Sequence, residues 1–290
     1  AGTETSVSQR TDFGFGGANE TILSGDLNGD DVVSGSGSTL SLSNISENCY
    51  HVFYHPSALA LTSTAVLDGF TIRGGNANES INNEVQGGGM LNKGCSPTIK
   101  NSTFTANYSI YLGGGLYNYS SSNPILTDVT FYKNQSGTYG GGMNNYTTSS
   151  PTLTNCTFSE NRAIQGGACG FDGTTSIFTN VLFYGNYAST RGGAIVIVGP
   201  NVDLTMNNCT FSENSTGGTG GAVADVFSNA NSDNVYNNCI FWGNSASTTG
   251  AEFNVSGPDH VLRYSCYNNQ TGDVTVTSGS FTATDNNITT

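Results

Sequence analysis

The sequence predicts an all-β protein, a single-stranded right-handed parallel β-helix of about ten rungs. Three observations support this fold. The chain of 290 residues contains 39 glycines and only 10% charged side chains, which is typical of turn-rich β proteins. A unit of about 27 residues recurs six times. Apolar residues within the unit follow short, strand-like spacings rather than a helical period.

Each copy of the unit contains a Gly-Gly step and ends in Phe-x-x-Asn. A unit so poor in apolar residues cannot bury a face alone, so it must stack on its copies. The sequence indicates three short strands and three turns per rung. The stacked positions predict ladders of phenylalanine and asparagine. These positions are Phe104, Phe131, Phe158, Phe183, Phe211 and Phe241, with Asn107, Asn134, Asn161, Asn186, Asn214 and Asn244.

Two residue types mark the bends between strands. An Asn or Asp precedes each inward-facing pair, where the chain must turn sharply, and Asn tolerates the left-handed conformation. The Gly-Gly steps are expected to turn the backbone with positive φ. The bend residues are Asn101, Asp128, Asn155, Asn180, Asn208 and Asn238. The Gly-Gly steps are Gly88-Gly89, Gly114-Gly115, Gly141-Gly142, Gly166-Gly167, Gly192-Gly193 and Gly220-Gly221.

The pattern predicts one continuous domain over residues 1–290. Residues 1–65 would form irregular N-terminal rungs, 66–245 the regular repeats and 246–290 the C-terminal rungs. No apolar run approaches the roughly 20 residues that span a bilayer. The chain begins at Ala1 without a leader segment, so we expect a mature or trimmed product.

Charge and composition limit the partners. Eight Lys and Arg against 21 Asp and Glu give a formal charge of -13, which argues against nucleic-acid binding. The low charge fraction favours an extracellular or cell-surface location. Cys209, Cys239 and Cys266 are expected at equivalent inward positions, where either a disulfide or a row of packed thiols would fit.

One segment has the character of a metal site. Asp26, Asn28 and Asp30 alternate like the first oxygen ligands of a calcium loop. The pattern fails at Asp31 and Gly37, where such a loop requires Gly and Glu. A solvated turn is therefore the alternative, and no other cofactor is expected.

Outward-facing aromatic residues suggest a contact surface. Tyr119 and Tyr146 occupy identical repeat positions, with Lys93 one rung earlier. They could stack on sugars, on another subunit or simply on each other. Several Asn-x-Ser/Thr sequences permit glycosylation. These include Asn101, Asn118, Asn145 and Asn254.

Two sets of motifs resemble known repeats. Gly-Gly-Ala-Ile at 192–195, Gly-Gly-Ala-Val at 220–223 and the Phe-x-x-Asn tetrapeptides resemble the repeat of chlamydial polymorphic outer membrane proteins. The run 150–158 is similar to that of many secreted bacterial right-handed β-helix proteins. The resemblance covers residues 66–245 and implies a pectate-lyase-like solenoid that is surface-exposed or released, with an adhesive or structural role.

Two functional hypotheses remain. The first is a non-enzymatic scaffold that contacts surface glycans or a neighbouring cell, or stacks head to tail into filaments. The second is a carbohydrate-active enzyme, with Glu160 and Glu213 as a carboxylate pair about 10 Å apart. The motif set of polygalacturonases is absent, and no His or Arg recurs beside the pair. The sequence therefore favours the scaffold and predicts no catalytic residue.

Overall fold

The structure of the protein, a computed structural model, describes residues 15–79, 85–227, 233–257, 260–268, 270–284 and 287–289. Residues 1–14 of the expected N-terminal region lie outside the described residues. The described chain coils into a β-solenoid whose turns contribute strands to four parallel sheets. The prediction of three strands per turn was therefore wrong. The additional strand follows Phe-x-x-Asn and is often only two residues long, as in Gln135–Ser136.

The four sheets are named here in the order that begins with the phenylalanine strands. Sheet I consists of Ile22–Ser24, Thr71–Arg73, Thr103–Thr105, Thr130–Tyr132, Thr157–Ser159, Leu182–Tyr184, Thr210–Ser212, Ile240–Trp242, Cys266–Tyr267 and Ile288–Thr289. Sheet II consists of Asn76–Ala77, Tyr108–Ser109, Gln135–Ser136, Arg162–Gln165, Tyr187–Arg191, Ser215–Thr216 and Ser245–Ala246.

The other two sheets follow the glycine step and precede the sharp bend, respectively. Sheet III consists of Phe53–His55, Met90–Lys93, Leu116–Tyr119, Met143–Tyr146, Cys169–Asp172, Ile195–Ile197, Val223–Asp225, Phe253–Val255 and Val274–Val276. Sheet IV consists of Val66–Asp68, Thr98–Lys100, Ile125–Thr127, Thr152–Thr154, Thr175–Thr179, Asp203–Asn207, Asn234–Asn237, His260–Arg263 and Phe281–Thr284.

The estimate of about ten rungs was too high for regular turns. Sheet I has ten strands, but only about six turns carry the complete sequence repeat with a strand in every sheet. The flanking turns are interrupted by longer loops or lack a strand in sheet II. Near the N-terminus the chain leaves the coil to form an antiparallel hairpin, Val32–Ser34 with Ser41–Ser43. Short 3₁₀ turns occur at Gly37–Thr39 and Ser57–Leu59.

The six repeat phenylalanines form a continuous ladder inside the coil. Parallel pairing places Phe131 opposite Phe158, and their ring centroids are 4.5 Å apart. All five neighbouring pairs along the ladder have centroid separations between 4.5 and 5.3 Å and nearly parallel planes. Because the rings are fully buried, the ladder contributes both apolar burial and ring stacking.

A second ladder is formed by the asparagine three positions after each phenylalanine. The Asn161 amide donates to the Asn186 Oδ1 at 3.0 Å and to the backbone carbonyl of Phe131 at 2.9 Å. Its own Oδ1 accepts from the backbone N–H of Asn134 at 3.0 Å. Buried amides must be hydrogen-bonded. The repetition of one residue type satisfies this requirement on every turn.

The asparagine ladder ends at a buried carboxyl group. Asn244 donates from Nδ2 to the Oε2 atom of Glu252 at 2.6 Å, and Glu252 is only 1% exposed. Glu252 stands where earlier turns have glycine or alanine, such as Ala222. Its side chain therefore supplies the acceptor that the next asparagine would otherwise provide. Burial raises the pKa of Glu252 to about 7.

The bend residues have the predicted left-handed conformation. The Gly-Gly steps have positive φ at a different residue from the predicted one in some turns. The six predicted Asn and Asp residues have φ between 46° and 56°. In the first three turns, however, positive φ falls one residue before the Gly-Gly pair, as at Gly140 with φ 64°. The following Gly141 is needed for a different reason. A Cβ atom there would lie 2.4 Å from the backbone oxygen of Arg162.

The predicted row of cysteines is only partly correct. All seven cysteines are free thiols, and Cys209 and Cys239 are buried side by side on successive turns. Cys266 lies opposite Ile240 rather than in line with Cys239. Ser265 fills the next position in the row, where its hydroxyl accepts from the Cys239 N–H at 2.9 Å.

Candidate functional site

An acidic cluster lies where the N-terminal hairpin leaves the coil. Asp26, Asp30, Asp31 and Glu47 each offer a carboxylate oxygen within 4.8 Å of the others. Asp26 and Asp30 are two of the three predicted ligands, and the third, Asn28, accepts the backbone N–H of Asp30 with its Oδ1 at 3.1 Å. Asp31 and Glu47 are further carboxylates of the cluster that were not among the predicted ligands.

The carboxyl groups of this cluster differ in their surroundings. Burial raises the pKa of Asp31, and the charges of Asp26 and Glu47 raise it further. Partial desolvation acts to raise the pKa of Asp26 too, but backbone N–H donors such as that of Gly29 lower it overall. Oxygen-rich sets of this kind suit calcium. Calcium binding at this cluster stays a prediction.

The predicted contact residues Tyr119 and Tyr146 stack on each other along sheet III. Their ring centroids are 5.9 Å apart, and the Lys93 Nζ lies 5.9 Å from the Tyr119 ring centroid. Tyr146 is 38% exposed. The neighbouring Asn118 and Asn145 are fully buried and hydrogen-bonded to each other at 2.8 Å. Both are therefore inaccessible to a glycosylating enzyme in the folded protein.

Glu160 and Glu213 lie two turns apart at the corner between sheets I and II. Gly185 occupies the same corner on the intervening turn. The carboxylate of Glu160 is 3.5 Å from the Lys133 Nζ, and Glu213 accepts a hydrogen bond from the Tyr184 hydroxyl. This bond and the charge of Glu213 raise the pKa of Tyr184. Both glutamates therefore border an open surface rather than an enclosed cleft.

Next to these glutamates, sheet I presents an outward row that the sequence analysis did not single out. Parallel pairing aligns the residues after the last five ladder phenylalanines into one straight column. Thr105, which follows Phe104, is buried. We call this column the aromatic face. It consists of Tyr132, Ser159, Tyr184, Ser212 and Trp242. The residues alternate between an aromatic ring and a serine, so the rings fall on every second turn.

A buried polar triad lies under the C-terminal turns. The Nε2 atom of His260 is 3.0 Å from Asp225 Oδ2, and its Nδ1 is 3.4 Å from the Tyr236 hydroxyl. All three side chains are almost completely buried, so substrate cannot reach them. The triad therefore satisfies buried polar groups within the core.

An open cleft of about 810 Å³ separates the hairpin from sheet II. Arg162 crosses this gap, because its Nη1 donates to the Leu40 carbonyl at 2.6 Å. The described residues that line the cleft include Asn76, Tyr108 and Gln135 but no carboxylate and no histidine. The cleft therefore offers hydrogen-bonding groups without an acid–base pair.

Comparison with known proteins identifies the class of this solenoid. The model of the right-handed β-helix region matches residues 19–190 and 90–289. The chain therefore belongs to the right-handed β-helix family. No curated protein and no solved structure matches the chain. Within the described residues, no helix is long and apolar enough to cross a membrane.

Proposed function

We propose that this protein is a non-enzymatic extracellular or cell-surface scaffold of structural or adhesive type. The observation that carries the proposal is the complete filling of the interior over six turns. The phenylalanine and asparagine ladders are continuous through these turns. The inward position of sheet IV varies among buried apolar side chains, as from Leu153 to Phe178 and Met206. Outward positions vary in polarity as well, and a scaffold presents its contacts there.

The position of the two candidate catalytic carboxylates supports this role. Glu160 and Glu213 are separated by two strand spacings, about 10 Å. Glycosidases hold their carboxyl groups at roughly 5–9.5 Å around the scissile bond. Each glutamate already contacts an outward side chain, Lys133 and Tyr184 respectively. Such a surface is better suited to holding a ligand than to cleaving it.

The ends of the coil support a further part of the proposal, namely that copies stack head to tail. Leu67 lies in the outermost strand at one end of sheet IV, opposite the fully buried Ile99, and is itself only partly buried. Phe281, in the outermost strand at the other end of sheet IV, also packs on the core and is only partly buried. Strands at such ends can recruit further chains. A head-to-tail contact that does not close builds fibres.

An activity panel tests the scaffold against the enzyme. The purified chain is incubated with neutral and acidic polysaccharides, and reducing ends and unsaturated products are measured. We expect no product above the level of a heat-denatured control. Product that disappears in Glu160→Gln or Glu213→Gln, while Asp233→Asn at an exposed carboxylate retains it, would establish an enzyme and overturn the proposal.

A further inference from the structure

The aromatic face carries a regular alternation that packing does not require. Tyr184 and Trp242 are 41% and 52% exposed, whereas the core-facing side of the same strands is filled by the ladder. Serine occupies the equivalent position at Ser159 and Ser212, so the fold accepts a small residue there. The rings of Tyr184 and Trp242 are therefore available for contacts outside the molecule. Tyr132 is half-buried, and its ring centroid lies 5.8 Å from that of Phe15.

The spacing of the rings suits an elongated ligand that runs along the coil. Pairing from Thr105 through Trp242 proceeds without a register shift in sheet I. Rings on alternate turns are thus about 10 Å apart along a straight line. One turn corresponds in length to about one sugar residue of an extended glycan. Alternate sugars of such a chain would each meet a ring.

The residue type at the corner between sheets I and II alternates from turn to turn, with the same two-turn period as the aromatic face. Next to the rings of Tyr184 and Trp242 the corner residue is glycine, Gly185 and Gly243. A Cβ atom at either glycine would have its nearest neighbour at 3.7 or 3.8 Å, on the side chain of a glutamate. Beside the two serines, the corner instead carries Glu160 and Glu213. Space next to the rings of Tyr184 and Trp242 therefore alternates with a carboxylate that can accept hydrogen bonds from hydroxyl groups. Beside Tyr132 the corner residue is Lys133.

Charge and apolar area define the ligand further. On the turns of Tyr184 and Trp242, sheet I also exposes Leu182 and Ile240, which widens the apolar rows. Along the corner, the carboxylates of Glu160 and Glu213 outnumber the single ammonium group of Lys133. The whole chain also carries a formal charge of -13. Acidic glycans would be repelled. A neutral chain with apolar ring faces and hydroxyl edges fits both parts of the surface.

We infer that the aromatic face binds one extended neutral polysaccharide chain, with alternate sugar rings stacked on Tyr184 and Trp242. The hydroxyl groups of the intervening sugars form hydrogen bonds with Ser159, Ser212, Glu160 and Glu213. This inference rests on the proposed scaffold function and names the ligand through which the scaffold adheres.

Trp242 is the single tryptophan of the chain, so its fluorescence reports directly on this surface. The full chain is titrated with cellohexaose, chitohexaose and laminarihexaose, and with an oligogalacturonate of similar length. We expect at least one neutral hexasaccharide to change the Trp242 emission in a saturable manner. We expect no change with the oligogalacturonate.

Variants test whether the whole face is used. Tyr184→Ser copies the residue found on neighbouring turns and should weaken binding about tenfold or more, since central aromatic contacts dominate such interfaces. Calorimetry on Trp242→Ser should show the same loss. Tyr111→Ser, which removes an exposed tyrosine outside the aromatic face, should bind as the unaltered protein does. Equal melting temperatures would show that the variants remain folded.

Several results would overturn the inference. These are an unchanged emission with all three neutral hexasaccharides, a response that Tyr184→Ser leaves intact, or an emission that varies only with protein concentration. The last result would indicate a second protein copy on this face. Cleavage of a bound hexasaccharide would contradict the scaffold function while supporting the binding surface. If the protein neither binds nor cleaves these hexasaccharides, the inference about the aromatic face is wrong, whereas the proposed scaffold function is not contradicted.

Discussion

Glu252 shows how one buried residue can make the stability of the rod depend on pH. It is the last acceptor of the asparagine ladder and its pKa is raised to about 7 by burial. The ordinary pKa of a glutamate in the unfolded chain is 4.5. As the pH rises, the unfolded chain loses this proton first. The free energy of unfolding is therefore expected to fall between about pH 4.5 and pH 7.

Glu252→Gln should remove this pH dependence, because a neutral amide still accepts from Asn244 without carrying a charge. At pH 8 we expect the variant to be more stable by roughly 2–3 kcal/mol. Thermal unfolding measured from pH 4 to pH 8 provides the test. Glu213→Gln, at an exposed corner, serves as the control and should leave the pH profile unchanged. Parallel profiles for Glu252→Gln and the unaltered protein would contradict the assignment.

The acidic cluster illustrates what residue spacing cannot reveal. Asp26 and Asp30 could be singled out because they are close in sequence. Asp31 and Glu47 are brought together only by the hairpin between them, so their proximity depends on the path of the chain. Asn28, also selected on spacing, accepts the backbone N–H of Asp30 within the same turn, as Asp26 accepts that of Gly29.

At the scale of the single turn, the corner residues have a conformational role that can be separated from their hydrogen bonds. Asn180 has φ 56° and donates to the Asn155 Oδ1 at 2.7 Å. Both Asn180→Ala and Asn180→Gly remove this bond. Only alanine meets a steric penalty in the left-handed region, roughly 1–2 kcal/mol.

We therefore expect Asn180→Ala to be less stable than Asn180→Gly by about 1 kcal/mol, measured by urea unfolding. The glycine variant is the matched control, since it lacks the same amide but accepts the same φ. If the two variants unfold at the same urea concentration, the conformation of the corner does not limit stability.

The strands that were predicted well are those with a repeated apolar residue. Every regular turn has a phenylalanine at the position of Phe131 and a large apolar residue at that of Leu153. The alignment of these strands therefore follows from nearly constant spacing. The strands of sheet II were missed because they are short and carry no such apolar pattern, as Gln135–Ser136 shows. The aromatic face was present in the sequence as the residue after each of the last five ladder phenylalanines. Because serine stands between the aromatic residues, the alternation could be recognised only once the register of the sheet I strands was known.

At the scale of the whole molecule, the ends of the coil determine assembly. If copies stack head to tail, concentrated protein at neutral pH should form linear particles visible by electron microscopy. Lysine at Val66 and Ile288, the outward residues of two terminal strands, should prevent this by placing charge at the edge of the contact. Ile177→Lys, in the same outward column as Val66 but in a middle turn, should leave assembly intact.

Sedimentation velocity over a range of protein concentrations gives the same comparison in solution. Monomers alone at every concentration would exclude stacking. Filaments that persist in the Val66→Lys, Ile288→Lys double variant would show that another surface is used.

The in-register pairing of successive turns also bears on how such a chain can change over evolutionary time. Since Phe131 and Phe158 occupy equivalent positions in adjacent turns, a duplication or loss of one whole repeat in the gene would join compatible surfaces. The product would be longer or shorter by one strand spacing, about 4.8 Å, with an unchanged diameter. Length can thus be adjusted in discrete steps without redesigning the core.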